Sequence, residues 1–167
     1  MELLTVLEGE RLTLRPATED DVAALVALLA EPDVALWWGR YDADRVREEL
    51  GSVASLAIVV AGEVAGWLHV NEEADPHYPS VWFDIGVTTR LRGQGYGQEA
   101  LRLAIRHQIA RGHHRFVIDP SVENERAIRS YAAVGFRPVG VMRRYERAED
   151  GRWRDGLLMD LLAEELT

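Results

Sequence analysis

The sequence has 167 residues, a formal net charge of −9 and no cysteine, which is long enough for one core without covalent staples and excludes a disulfide frame, a cysteine nucleophile and a thiolate metal cluster. The acidic balance argues against nucleic acid as a partner and for a small cationic amine. No apolar run approaches the ~20 residues of a membrane span, and Glu2, Glu8 and Glu10 break an apolar start too short for a signal peptide, so the expectation is a single domain over 1–167, cytoplasmic and without membrane attachment.

Polar and apolar residues alternate in Arg11-Leu12-Thr13-Leu14-Arg15, the pattern of a half-buried strand that Pro16 closes. Thr18 and Asp21 have the spacing of a capping box, and Val22, Leu25, Val26 and Leu29 behind them form a helical stripe that Pro32 ends. A short helix is expected over 42–50. Strands are expected over 56–61, 64–71 and 81–87, the first two separated by Gly62-Glu63 as a hairpin turn.

The next segment reads Val87-Thr88-Thr89-Arg90-Leu91-Arg92-Gly93-Gln94-Gly95-Tyr96-Gly97. Its alternate glycines omit the Cβ atoms that would hold a phosphate off the backbone, and a helix over 96–111 follows, with Leu101, Ala104, Ile105 and Ile109 on one stripe. A helix N-terminus offers unpaired N–H groups and partial positive charge, so the loop suits a pyrophosphate. A dinucleotide-binding turn competes, because Asp119 follows at about the 20-residue interval of a ribose-binding acid. Against it, Gln98 stands where a third glycine belongs, and the chain after Asp119 is too short to complete a doubly wound sheet. A merely structural glycine turn is the other alternative.

Gly112 stops that helix, a buried strand is expected over 114–119, and a helix over 124–134 carries Ala127, Ile128, Tyr131 and Val134 on one face. Two strands over 136–145 and 153–161 meet at an Asp150-Gly151 turn. The order β-α-α-β-β-β-α-β-α-β-β gives an α/β fold, a mixed sheet with helices on both faces. Asn124 and Tyr131 stand nearly two helical turns apart and so address one ligand, although Asn124 is equally an N-cap and Tyr131 equally a core aromatic. Histidines 69, 77, 107, 113 and 114 show no ligand spacing, and no metal site is implied.

The pattern Arg92-x-x-Gly95-x-Gly97 resembles the pyrophosphate motif of the GNAT superfamily of N-acetyltransferases, and Asn124, Tyr131 and Gly135-Phe136 resemble that family's following helix and turn. The resemblance covers essentially the whole chain and implies the GNAT fold, with a mixed, mostly antiparallel sheet of six to seven strands. It implies acetyl-CoA as cosubstrate, with no metal, bound by Val87, Arg92, Gly93, Gln94, Gly95, Tyr96, Gly97, Asn124 and Arg129. It also implies Tyr131 as the acid that protonates the departing thiolate, a task a phenol with an ordinary pKa near ~10 can perform at neutral pH.

The run Asp119-Pro120-Ser121-Val122-Glu123-Asn124-Glu125-Arg126-Ala127-Ile128-Arg129-Ser130-Tyr131 is similar to the aminoglycoside 6'-N-acetyltransferases, where the aspartate faces the aminosugar. Trp37-Trp38-Gly39 resembles that subfamily's substrate-loop tryptophans, and Glu72-Glu73-Ala74-Asp75-Pro76 its acidic loop. The resemblance therefore implies substrate binding by Trp37, Trp38, Glu72, Glu73, Asp75 and Asp119. Read as residues alone, the tryptophans equally staple the first helix to the sheet, and the acids equally form a solvated loop. The subfamily's base is an aspartate on the strand before the glycine loop. Counting back from Arg92 puts Phe83 in its place with Asp84 beside it, so one residue of register decides whether Asp84 is the base or whether Asp119 or a water takes the proton.

The expected activity is acetyl transfer from acetyl-CoA to a primary amine by direct attack in a ternary complex, with an aminoglycoside as the favoured acceptor. Gly140-Val141-Met142-Arg143-Arg144 and Trp153-Arg154-Asp155-Gly156 also resemble ribosomal-protein acetyltransferases, which makes a protein N-terminus the alternative acceptor. A non-catalytic acyl-CoA-binding sensor is a further alternative. A monomer or homodimer is expected, since the C-terminal strands can pair with another subunit.

Overall fold

The computed structural model describes residues 5–167, so Glu2 lies outside the described residues. Among the described residues eight strands form one sheet in the order β1-β2-β3-β4-β5-β6-β8-β7. They are β1 (Leu7–Glu8), β2 (Thr13–Pro16), β3 (Ser55–Val60), β4 (Glu63–Glu72), β5 (Val81–Val87), β6 (Arg115–Ile118), β7 (Arg137–Arg147) and β8 (Trp153–Leu162). The helices are α1 (Val22–Leu29), α2 (Pro32–Trp38), α3 (Ala43–Ser52), α4 (Tyr96–Ala110) and α5 (Glu125–Val134). Every neighbouring pair is antiparallel except β5 with β6. The fold is the expected α/β arrangement with one strand more: β1, two residues long, is too short to leave a periodic signal. Among the described residues no helix is long and apolar enough to cross a membrane.

Two local expectations are corrected. Pro32 does end α1, but it also opens α2 at the first helical position, where its missing N–H has no intrahelical partner to lose. Trp37 and Trp38 therefore sit at the end of a helix rather than on a loop. The β3–β4 turn is Ala61-Gly62, with φ of 51° and 79°, and Val60 pairs with Glu63, one residue earlier than expected. Both central residues have the left-handed backbone that matches the twist of a two-residue hairpin.

The sheet buries a different cluster on each face. On one, Leu56, Ile58, Leu68, Val81, Phe83 and Phe116 meet Leu101 and Ile105 of α4 and Val134 of α5. On the other, Trp67 of β4 meets Val22, Leu25 and Leu29 of α1, Val34 of α2 and Val46 of α3. The break that matters for function lies between β5 and β6, whose parallel pairing joins only Val81 with Phe116 and Trp82 with Val117. Beyond that point the two strands have no further partners in each other, and the sheet opens.

Candidate active site

Strand alternation decides the position of Asp84. Phe83 turns into the core under α4 and is 1% exposed, whereas Asp84 turns to the opposite face, into a cleft of about 880 Å³. That volume suits a small-molecule site. Asp84 stands directly across from His69 on β4. It is open to water from the cleft but walled by protein on its other sides. This desolvation, reinforced by the charges of Asp119, Glu49 and Glu146, raises its carboxyl to about 6.

Asp119 follows the last residue of β6 and reaches the same cleft from the other side of the opening. Burial raises its pKa, and a hydrogen bond from the Tyr145 hydroxyl opposes that rise. Tyr131 of α5 packs edge-on against Phe136, with centroids 6.3 Å apart, and also lines the cleft. It is thus both core aromatic and site residue. Burial first, then the charges of Asp84 and Asp119, push its pKa up, so the phenol stays protonated at neutral pH.

Trp37 and Trp38 both line the cleft. Trp38 is the staple: it stacks on Trp67 at 5.9 Å and 18° and lies so close to Gly86 that a Cβ there would stand 3.0 Å from its Nε1. Trp37 lies with its ring 5.1 Å from the Arg154 guanidinium. Glu72, Glu73 and Asp75 are not brought to the cleft. Asn71 lines it, so Glu72, one residue on, turns to the other face, where it pairs with Arg111 and stands 3.6 Å from His113. Glu73 and Asp75 are exposed on the following loop, where Asp75 accepts from the His77 amide at 2.9 Å.

The glycine loop opens α4 as expected. Gly93 and Gly95 have φ of 75° and 80°, a conformation that disfavours any side chain. Among the described residues no side chain caps the helix, which leaves its first N–H groups without an intrahelical partner. Gly97 is not left-handed, and a Cβ there would make only an ordinary contact of 3.6 Å with Val87; its bareness leaves room for a ligand rather than for the chain itself. The loop therefore fits a pyrophosphate. Arg92 is ion-paired with Asp33 of α2 at 2.8 Å, and the Gln94 side chain donates to the Arg90 carbonyl at 3.3 Å. Asn124 caps α5 by accepting from the Ala127 amide at 3.3 Å while lining the cleft. Arg129 is 71% exposed beside Glu125 and does not line the cleft.

Several residues escape sequence reasoning. Arg11 donates to the Gln94 carbonyl at 2.8 Å, binds Glu99 through Nε at 2.8 Å and lies 4.2 Å from the Tyr96 ring, bracing the glycine loop from the far end of the chain. Tyr41 donates to Glu49 at 2.6 Å, and Glu49 stands 3.5 Å from the buried His69, whose pKa burial lowers to about 4. Arg154, 5% exposed, donates to the Leu36 carbonyl at 3.0 Å. Its Nε lies 3.1 Å from Glu146, an ion pair by proximity without hydrogen-bond alignment. The Arg11, His69 and Leu36 contacts join residues too far apart in sequence for spacing to reveal, and the eight-residue Tyr41–Glu49 and Glu146–Arg154 pairs match no helical or strand repeat.

A family model described as an acetyltransferase (GNAT) domain matches residues 11–137. No curated protein matches the chain significantly. Among solved structures, RimJ from Mycobacterium smegmatis in complex with CoA-disulfide is 24% identical with a TM-score of 0.86, over 98% of this chain and 90% of that one. Spermidine N-acetyltransferase from Vibrio cholerae in complex with CoA and spermine is 20% identical with a TM-score of 0.80, over 93% and 97%. Ribosomal-protein-alanine N-acetyltransferase from Brucella melitensis is 24% identical with a TM-score of 0.74, over 89% and 98%. At such identities the likeness to these structures is one of fold.

Proposed function

The chain belongs to the GNAT family of acetyl-CoA-dependent acetyltransferases, and we propose that its acceptor is a primary amine on a small molecule with several ammonium groups, an aminoglycoside foremost. The observation that carries this reading is the charge of the cleft. Among the described residues Glu48, Glu49, Asp84, Asp119 and Glu146 line it, against one lining guanidinium, Arg45, which lies 3.9 Å from the Tyr41 ring, and Arg154 behind Glu146. Such a cavity concentrates cations and gives a second and third ammonium group somewhere to bind.

In the proposed mechanism the bare loop at Gly93 to Gly97 and the N-terminus of α4 grip the pyrophosphate of the donor. Asp119 holds the acceptor's ammonium group by a charge-assisted hydrogen bond. Once that group has shed a proton to water, its nitrogen attacks the thioester carbonyl, so that a C–N bond forms and the C–S bond breaks. Asp84, ionised at neutral pH because its pKa is about 6, takes the second nitrogen proton. Tyr131 gives its hydroxyl proton to the departing thiolate, and the proton collected by Asp84 restores the phenol. The net products are amide, free thiol and one proton in solution.

The test is thiol release from acetyl-CoA with kanamycin, tobramycin, spermidine and a short N-terminal peptide as parallel acceptors. Saturable release with the aminoglycosides is expected. A second reading, acetylation of a protein N-terminus, is favoured by the resemblance of 140–144 and 153–156 to ribosomal-protein enzymes, and release with the peptide alone replaces the first reading by it. No release with any amine, together with undiminished acetyl-CoA binding, favours a sensor.

A further inference from the structure

Tyr145 occupies a position that the regular course of its strand does not provide. Between Met142 and Glu146, β7 advances four residues while its partner β8 advances two, from Gly156 to Arg154. Two extra residues are thus accommodated in a bulge. Arg144, at its centre, has φ of 50°, and its amide is pinned to Asp155 Oδ1 at 2.7 Å. A bulge re-aims side chains, and this one lays the Tyr145 ring back across β8.

The ring fits there because Gly156 has no side chain. A Cβ at Gly156 would stand 2.8 Å from Tyr145 Cδ2 and 3.2 Å from Cγ. Since the φ of Gly156 is not left-handed, the demand for glycine at this position is one of space alone. The same stretch of β8 is tied to the segment after Asp119: the Leu157 amide donates to the Pro120 carbonyl at 2.8 Å and the Val122 amide to the Asp155 carbonyl at 3.0 Å. Bulge, glycine gap and Asp119 loop thus form one unit, and its outcome is a hydrogen bond from the Tyr145 hydroxyl to Asp119 Oδ2 inside the cleft.

We propose that Tyr145 is a positioning residue, whose hydroxyl holds the Asp119 carboxylate in the orientation that grips the acceptor's ammonium group. This rests on the reading of the cleft as an acceptor site but not on which amine is accepted. A carboxylate fixed by one donor presents its second oxygen along a defined direction, whereas a free one rotates among orientations of which few suit the thioester. The hydroxyl also stabilises the ionised form of Asp119. The other ionisable groups facing Asp119 are Asp84 from β5, Tyr131 from α5 and Glu146 from β7, the last beside Arg154 of β8. Among these, Tyr145 alone has its hydrogen bond on Asp119.

The decisive experiment compares Tyr145→Phe, Gly156→Ala and the double variant with the parent, using whichever amine the parent acetylates. Tyr145→Phe keeps the ring and removes the donor. It is expected to raise the acceptor KM about tenfold, as loss of a hydrogen bond to a charged group does, with kcat within about twofold and the acetyl-CoA KM unchanged. Gly156→Ala keeps the hydroxyl but displaces the ring, so it should reproduce that split, and the double variant should be no worse than either single one. Carboxyl carbon NMR without any substrate, assigned with Asp119→Asn, should show the Asp119 titration midpoint moving up in Tyr145→Phe. That readout separates failure of this proposal from failure of the acceptor assignment. Parental acceptor KM together with an unmoved midpoint in Tyr145→Phe overturns the proposal, as does equal damage to both substrates' KM values.

Discussion

Burial beside the cleft and the charges of Asp119, Glu49 and Glu146 set the Asp84 carboxyl at about 6, and two consequences follow from that one residue. As the proposed base it works only when ionised, so log kcat/KM for the amine should lose one unit of slope as pH passes about 6 and go on rising until the acceptor's own ammonium is deprotonated. Asp84→Asn should remove the break near pH 6 and lower kcat by about 10²- to 10⁴-fold. Its folded-state pKa is raised above the unfolded value, so the charged form is the costly one in the fold. That cost is present above about pH 6 and absent below about pH 4, where both states hold the proton. Asp84→Asn should therefore unfold at a higher temperature than the parent at pH 7.5 and at the same temperature at pH 3.5. Because water reaches Asp84 from the cleft, the gain is on the order of 1 kcal/mol rather than the larger figure that full desolvation would give.

Short elements depend on single contacts, and α1 shows it. The Asp21 carboxylate, 4% exposed, reaches back to the Thr18 amide at 2.8 Å and takes the Arg15 guanidinium through both oxygens at 2.8 Å each. It thereby fixes the end of β2 to the start of α1. Asp21→Ala should reduce unfolding free energy by about 2–4 kcal/mol at pH 7, since it strands a half-buried guanidinium; chemical denaturation measures it. The hydrogen bond from Arg15, followed by those from Thr18, lowers the Asp21 pKa. This stabilisation is thus present above the ordinary aspartate range and lost as pH falls through the lowered folded value, so parent and variant should converge in acid. The Thr18 to Asp21 spacing made the Thr18 half of this contact legible in the sequence, as the glycine spacing did for the start of α4, but the Arg15 half was not. The Arg11 brace on the glycine loop was not legible, because a strand-end arginine carries no mark of a loop more than eighty residues away.

The whole molecule gathers five of its carboxylates into one cleft of a chain whose net charge is −9. Long-range attraction should therefore assist acceptor binding: raising salt from about 0.05 to 0.5 M is expected to increase the amine KM several-fold with little change in kcat, because screening acts on approach rather than on contacts already dry. An unchanged KM over that range would place the acids' effect entirely in direct contacts. The cleft itself is closed by distant parts of the chain. Arg154 on β8 holds the Leu36 carbonyl across 118 residues of sequence, and Glu149 beyond β7 accepts from the Arg40 amide at 2.9 Å. The C-terminal hairpin is in this way a wall of the site.

The sequence by itself determined the elements whose signals are local: the apolar stripes of α1 and α4, the glycine turn before α4, the Asn124 cap, and the family those motifs share. It left open the facing of Asp84 and the fate of Glu72, because a strand side chain has two directions and only pairing between strands chooses one. The tertiary structure chose, turning Phe83 into the core and Asp84 into the cleft, and sending Glu72 to Arg111. It also supplied Arg11, Tyr145 and Arg154, whose roles arise only when segments remote in sequence are packed against one another. Periodicity records which face of an element is apolar; it carries no record of what another element will lay against it.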